Sequence, residues 1–554
     1  VETLLHAFLP HKYIDHSHAD AILALVDQPD AEAVCRERFG DRLAIVPYIM
    51  PGFALSKLAA EIYEQNPNVE GMLLLKHGLF TFGRTARESY DRHIAIVDAA
   101  ESFAHKRRYW SQRSSLPPPL VLSYAELGPI LRGLLGEQSR RYFLHLRQSR
   151  ELYDFVCDPR VDQLSQVGCA TPDHVIRTKR YPLVLRLDLG RPIAEQTTSI
   201  RSALDAYRAA YRAYVNRQAT ERQRRVTPLD PDPRILLVPG LGVIAAGESP
   251  KAARIAADIY EHTIEVIRSA EAVGRYEALP EGDIFDMEYW SLEQAKLGKG
   301  QKRPLEGHGV YISGAAHGIG AATAKLFAQA GASLFLVDRD GEAVAALAKS
   351  LGAASATVDV SDEGALRASV EAAVQHLGGL DGVISNAGTA PQGAIAEVST
   401  AALEASFRIN FYAHHWLASA ASAVFARQGM GGFLLFNASK SAWNPGPDFG
   451  PYALPKAALL ALTKQYALEL GPSGVRCNAI NADRIRTQLL DANDVAERAR
   501  ARGLSPDQYY RANLLGREVT AEDVAQGFLS LALAQSTTGS VLTVDGGNIA
   551  ASPR

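Results

Sequence analysis

Cysteine is scarce. The 554-residue chain holds four, Cys35, Cys157, Cys169 and Cys477, and no two are spaced as CxxC. That argues against a disulfide scaffold and a thiolate zinc site and fits a reducing compartment, the cytoplasm. Long apolar runs are absent too. None reaches the roughly 18 residues a membrane span needs. Neither charge is in excess, since 58 Lys+Arg stand against 61 Asp+Glu. A near-neutral chain has no electrostatic footprint for nucleic acid or an anionic membrane. A basic-then-apolar leader pattern is also missing. The chain opens at Val1 with ETLLHAF, already in a helix-like pattern, so the protein is expected to begin upstream.

What is present is ordinary globular material, 47% hydrophobic and 21% charged. Such a composition excludes wholesale disorder. The length suits about four units of ordinary domain size. Three Pro- or Gly-rich connectors, 105–126, 216–234 and about 277–309, punctuate it. They suggest segments 1–115, 116–302 and 303–554. The last reads as alternating strands and helices. GVYIS (309–313), SLFLVD (333–338), ATVDV (356–360), LDGVISNAG (380–388) and GGFLLFNAS (431–439) are spaced to leave room for helices. That alternation predicts an α/β fold, a doubly wound parallel sheet of the Rossmann type. Residues 73–102 and 236–271 share another plan: strand, Gly turn, strand, then a capped helix. Thr85 with Glu88, and Ser249 with Pro250, supply the helix-start signals. Aligning Gly78 with Gly242 sets His77 opposite Leu241. The pattern fits either an internal duplication or two ordinary β-turn-β-α units.

Gly314, Gly318 and Gly320 form GxxxGxG between an apolar strand and a helix. Glycine lets backbone approach a pyrophosphate, and a helix N-terminus favours its charge. Asp338 ends the next strand, where a carboxylate can accept from both ribose hydroxyls of NAD and repel the 2′-phosphate of NADP. Arg339 beside it tempers that choice. Tyr452 and Lys456 stand four apart on one helix face. An ammonium beside a phenol lowers its pKa and makes it a usable general acid/base. Pro455 is read as tolerable in a first turn.

This segment, about 303–554, resembles the short-chain dehydrogenase/reductase family. The glycine motif, Asp359, Asn386-Ala387-Gly388, Asn410, Ser439, Tyr452 with Lys456, and the closing TTGSVLTVDGG (537–547) appear in order. The resemblance implies that Tyr452 is the acid/base. Lys456 would tune it and hold the ribose, Ser439 would orient the substrate oxygen, and Asn410 would support a proton relay. It further implies an NAD cleft lined by His317 and Ile319 of the glycine loop, Asp359 with Val360, Asn386 to Gly388, and Thr487. One departure is Ala482-Asp483 where the family often has Pro-Gly. Arg484 and Arg486 beyond it face either an anionic substrate or solvent.

The N-terminal part carries His16-Ser17-His18, and His77 in a Lys-His-Gly turn. Alternate strand residues share a face. Three neutral imidazoles leave a divalent ion an open position, as in catalytic sites. Zinc suits imidazole, with manganese, cobalt or iron as alternatives. Glu2 precedes His16 by 14 residues. It is read either as a proton-moving carboxylate or as an exposed first-turn residue. His6, His11 and His174 are read as structural or supporting.

These residues resemble the class II aldolase/adducin family. By that likeness Glu2 is the catalytic carboxylate and His16, His18 and His77 bind zinc in an α/β/α domain. The family's Gly/Ser-rich phosphate loops lie upstream of the Glu. The two parts together resemble bifunctional rhamnulose-1-phosphate aldolase/alcohol dehydrogenases, in phrases such as NPGPDFGPYALPKAA and LLGREVTAEDVAQ. This likeness implies small-molecule substrates, a sugar phosphate and an aldehyde, and a homo-oligomer. Two other readings stand beside it: an N-terminal assembly module without catalysis, as in adducins, and a different sugar phosphate.

Overall fold

In a computed structural model of the chain we describe residues 3–107, 123–136, 140–188, 190–295, 302–487 and 492–547. Glu2 lies outside them. The chain forms two compact units. One comprises residues 1–121, 146–247 and 251–300; the other comprises 122–145, 248–250 and 301–554. No described helix is long and apolar enough to cross a membrane.

Two small sheets belong to the first unit, apart from residues 143–145 of one strand, which fall in the other. Strands β1 (Tyr13–Ser17), β2 (Leu43–Val46), β3 (Gly71–Leu74) and β4 (Gly78–Gly83) make the first, in the order β1-β4-β3-β2. The second has β5 (Phe143–Arg147), β6 (Leu183–Val184), β7 (Ile235–Val238) and β8 (Gly242–Gly247), in the order β5-β8-β7-β6. The two match in sense and register. β3 and β4 pair antiparallel from Leu74↔Gly78, and β7 and β8 from Val238↔Gly242. β2 runs parallel to β3 as β6 does to β7. Each hairpin turns through a positive φ at its middle residue, Lys76 (60°) or Gly240 (84°). A long helix follows each, Ala86–Arg107 or Pro250–Val273. This matching topology supports the internal duplication. One apolar core joins the copies, with Leu23, Leu73 and Leu79 from the first and Leu237, Val243 and Ile264 from the second. The Thr85 hydroxyl caps its helix by accepting from Glu88 N, while Glu88 reaches back to Arg84 N.

The second unit is built on a seven-stranded sheet of β9 (Gly309–Ser313), β10 (Ser333–Asp338), β11 (Ala354–Thr357), β12 (Gly382–Ser385), β13 (Gly432–Asn437), β14 (Val475–Ala482) and β15 (Val541–Val544). The order is β11-β10-β9-β12-β13-β14-β15, and each described pairing is parallel. Strand order reverses between β9 and β12. A cleft opens at the carboxyl ends there, as the topology requires. The central strands are buried on both faces, hence their unbroken apolar runs. Helix Tyr124–Leu134 docks on this unit through Arg132, whose side chain is fully buried. Arg132 donates to Asp381 (2.6 Å), Tyr142 O (2.6 Å) and Gly307 O (3.1 Å). Arg141 pairs with the other oxygen of Asp381.

Candidate functional site

Two sites emerge, one in each unit. In the first, β1 lies against β4, which places His16 opposite Phe80. The rings stack at 3.9 Å. His16 Nδ1 lies 2.9 Å from Leu79 O, which accepts its proton and turns Nε2 outward. His18, two residues on, brings its Nε2 to 3.1 Å from that of His16. The β3–β4 turn delivers His77, only 4% exposed, with neither ring nitrogen hydrogen-bonded. One ligand atom from each of the three lies within 4.8 Å of the others. Burial, reinforced by His18 and His16, holds the His77 pKa well below its usual value. Three converging imidazoles, one of them buried with no hydrogen-bond partner, fit a divalent cation.

Neighbouring groups hold this geometry. Ser17 points to the opposite face, where it meets His93 Nε2 at 2.6 Å, and His93 Nδ1 meets Thr81 Oγ1 at 2.9 Å. Lys76 donates to Gln28 O (3.0 Å) and Glu277 O (2.7 Å), pinning the turn that carries His77. His11 bonds Tyr63 and stacks on Phe82, in line with a structural role, while His6 is exposed. His174 lines a cavity of about 470 Å³ with His18, Asp20, Glu101 and His262. Its Nδ1 is buried without a partner, and burial, with His18 and His262 nearby, lowers its pKa to about 3. A second cavity, about 330 Å³, is lined by His77, Leu5, Trp290 and Glu293.

The other site occupies the cleft of the parallel sheet. Every residue of the expected cofactor set except Gly320 lines one cavity of about 340 Å³. Gly320 stands behind it, where a Cβ would lie 1.9 Å from Gly314 O. Gly314 (φ +62°) and Gly318 (φ +49°) adopt left-handed backbone, and side chains there would strike Ala387 and Thr487. Asn386 Nδ2 donates to Gly314 O at 2.9 Å and Ser313 O at 3.2 Å, so it also braces the glycine loop. Asp338 accepts from Ala316 N and Asp340 N, both at 3.0 Å. His317 pairs with Asp340 at 2.9 Å. The Ser361 amide and hydroxyl hold Asp359 below its usual pKa.

Tyr452 and Lys456 sit on helix Gly450–Leu470. That helix starts early enough to put Pro455 past its first turn, a correction to the sequence reading. The carbonyl of Pro451, which has no N–H of residue 455 to accept, accepts instead from Ser406 Oγ at 2.7 Å. Ser406 in turn accepts from Asn410 Nδ2 (3.1 Å), and Asn410 Oδ1 accepts from Thr389 N (3.2 Å). Asn410 is fully buried on a π-helical turn, Arg408–Tyr412. The proline thus couples helix Gly450–Leu470 to helix Thr400–Phe407, which carries Ser406.

The expected lowering of the phenol is not what the geometry gives. Burial pushes Tyr452 up, a hydrogen bond to Ser439 pulls it down, and Asp483 pushes it up again. Lys456 Nζ is 5.9 Å from the Tyr452 ring centroid and is itself lowered to about 7 by burial. Burial costs both groups their solvation, which raises the phenol and lowers the ammonium. Lys456 donates to Asn437 O at 2.7 Å, and Asn437 Nδ2 to Asn386 Oδ1 at 2.9 Å. Asn437 was missed from sequence, although it ends the FLLFN strand and its side chain shares the cleft. Arg484 donates to Tyr509 O and Ala512 O, and Arg486 pairs with Asp507 and Glu518. Both tie down the segment that follows.

Comparison with known proteins agrees with this division. Residues 1–103 match the class II aldolase and adducin N-terminal domain, and 123–297 match the class II aldolase second domain. Residues 314–548 match the enoyl-(acyl carrier protein) reductase model. The uncharacterized oxidoreductase YuxG of Bacillus subtilis (strain 168) is 30% identical over 578 aligned positions, covering 100% of this chain and 83% of that protein. The 4-formylbenzenesulfonate dehydrogenase TsaC1/TsaC2 of Comamonas testosteroni is 36% identical over 43% of this chain and 95% of its own length. The L-rhamnose 1-dehydrogenase (NAD(P)(+)) of Sphingomonas sp. (strain SKA58) is 33% identical over 44% of this chain and 96% of its own. The chain belongs to the family in which class II aldolase domains are fused to a short-chain dehydrogenase.

Proposed function

We propose that the chain is a bifunctional enzyme. Its first unit cleaves a sugar 1-phosphate, L-rhamnulose 1-phosphate, into dihydroxyacetone phosphate and L-lactaldehyde. Its second carries out NAD-dependent oxidoreduction of the aldehyde. The observation that carries this reading is His77, a buried imidazole with both nitrogens unpartnered, converging with His16 and His18. One relative is named for L-rhamnose, a deoxy sugar, which supports a deoxy-sugar context.

His16, His18 and His77 would hold zinc or another divalent ion, which supplies Lewis acidity at the ketose carbonyl. The His16–Leu79 bond places the Nδ1 proton and so leaves the lone pair on Nε2, the atom that faces His18 Nε2 at 3.1 Å and would ligate the ion. Glu2 is the carboxylate assigned by family likeness to proton movement. In the cleft, NAD would supply the hydride acceptor. Asp338 would read its ribose hydroxyls and disfavour a 2′-phosphate. Oxidation would run through the aldehyde hydrate: Tyr452 would take the proton of one hydrate hydroxyl as hydride leaves the same carbon, giving L-lactate, Ser439 would orient that hydroxyl oxygen, and Lys456 is held in place by Asn437.

Each half is tested separately. With divalent metal, the full chain should release dihydroxyacetone phosphate from L-rhamnulose 1-phosphate. With NAD and L-lactaldehyde it should form NADH. Bound metal without cleavage of this ketose would sink the substrate assignment, and no metal binding would favour the assembly module.

A further inference from the structure

We infer that Asp20 and His262, a carboxylate–imidazole dyad with one member in each copy of the duplicated plan, are a further acid/base pair of the histidine site and move the proton on the hydroxyl beside the carbon–carbon bond that breaks. This rests on the function proposed above. That cleavage moves two protons, one at carbon and one at oxygen, and only Glu2 has been assigned to them.

The duplication builds the place. The long helices Ala86–Arg107 and Pro250–Val273 wall one cavity of about 470 Å³, the first through Val97 and Glu101, the second through Ile259 and His262. Pairs at i,i+4 and i,i+3 put each helix's residues on one face. His18, one of the three converging histidines, lines the same cavity, and Asp20, two residues on, opens helix Asp20–Val26. His174, also in the wall, is near enough to feel both His18 and His262. The copies differ at the point that matters. Gly78 and Gly242 precede the helix starts Thr85 and Ser249 by the same interval, so His262 corresponds to Asp98. Asp98 is not among the described lining residues.

His262 Nδ1 lies 2.7 Å from Asp20 Oδ2, a contact between residues 242 apart in the chain. A carboxylate oxygen only accepts there, so the imidazole proton is held on Nδ1 and the lone pair stands on Nε2, the arrangement of a general base. The Asp20 side chain is 29% exposed and that of His262 65%, which lets solvent return or remove the proton. In cleavage Nε2 takes the hydroxyl proton, and the O–H electron pair becomes the aldehyde carbonyl. The pair of the broken carbon–carbon bond passes to the ketose side as an enediolate, where a second proton joins carbon to give dihydroxyacetone phosphate. Asp20 steadies the imidazolium formed meanwhile. Condensation runs the same transfers backwards.

The test separates the two protons. With the full metal-loaded chain, cleavage of L-rhamnulose 1-phosphate is timed beside exchange of a carbon-bound hydrogen of dihydroxyacetone phosphate with deuterium oxide, which involves carbon alone. His262→Gln is expected to slow cleavage about 10²-fold or more while exchange stays within about twofold of the parent. Asp20→Asn, which no longer holds the proton on Nδ1, should also slow cleavage, and Asp20→Glu should restore part of the loss. Metal content and circular dichroism show that each variant folds and keeps its ion. Independently of turnover, nitrogen-15 spectra of the histidine-labelled, metal-free chain at alkaline pH should show His262 protonated at Nδ1, and Asp20→Asn should lose that preference. Unchanged cleavage in His262→Gln, exchange that falls along with cleavage, or an Nε2 proton on His262 overturns the inference. A parent that exchanges but does not cleave this ketose sinks that substrate alone, and the same comparison is then made in condensation with glycolaldehyde. A parent that binds metal but does neither sinks the proposed function instead, and the nitrogen-15 spectrum still decides the dyad.

Discussion

At the scale of single residues, chemistry turns on how burial treats a proton. Tyr452 is raised by burial and by Asp483, so at neutral pH it holds its proton. As an acid it is ready; as a base it must first ionise. Oxidation by this enzyme should therefore climb tenfold per pH unit through the neutral range, while aldehyde reduction stays flat. A pH–rate profile in both directions checks this, and oxidation independent of pH between 6 and 9 would contradict it. Tyr452→Phe removes the only proton carried to that oxygen by this side chain and should cost about 10²–10⁴-fold in turnover, with NAD binding retained. His77→Ala should abolish stoichiometric metal, read by elemental analysis, and leave NADH formation from L-lactaldehyde untouched. Tyr452 with Lys456 and His16 with His18 were legible because i,i+4 and i,i+2 spacings impose a shared face, and His77 because it stands in a Lys-His-Gly turn after an apolar strand. Asn437 and His174 were not, since their meaning comes from neighbours brought by the fold: Lys456 for one, His18 for the other.

At the scale of elements, glycines and one arginine do the positioning. Gly78 opens β4 against β1. A methyl there would sit 2.4 Å from Ser17 O, closer than any real contact, and 3.1 Å from the His18 ring. Gly78→Ala should weaken metal binding by about 10–100-fold without removing a ligand, which a competition titration measures. Retained affinity would show that the strands can shift. Arg132 anchors helix Tyr124–Leu134 on Asp381, both side chains being essentially inaccessible. Arg132→Ala strands a buried charge and should cost about 3–5 kcal/mol of stability in denaturant unfolding. Burial alone would raise the Asp381 pKa, but Arg132 and Arg141 outweigh it and hold it below the usual value. Its contribution is thus full above about pH 4 and is lost as pH falls through the depressed folded value. The strand–helix alternation of the second unit could be read ahead because each strand is an apolar run between turn signals. The docking of Arg132 could not, because its partner is 249 residues away.

At the scale of the whole molecule, one chain holds a histidine site suited to a divalent ion and a nucleotide cleft suited to a dehydrogenase. Sequence motifs supplied the candidate residues of both, but not that Asp173, Trp290 and Glu293 line a cavity with His77, which only the fold brings about. The central claim is that these sites act in sequence on one substrate. The most direct measurement adds L-rhamnulose 1-phosphate and NAD to the metal-loaded full chain and follows NADH absorbance, with and without a chelator. The account predicts NADH formation that the chelator abolishes and that L-lactaldehyde restores in its presence. Chelator-insensitive NADH, or none from L-rhamnulose 1-phosphate while L-lactaldehyde is oxidised, would contradict it.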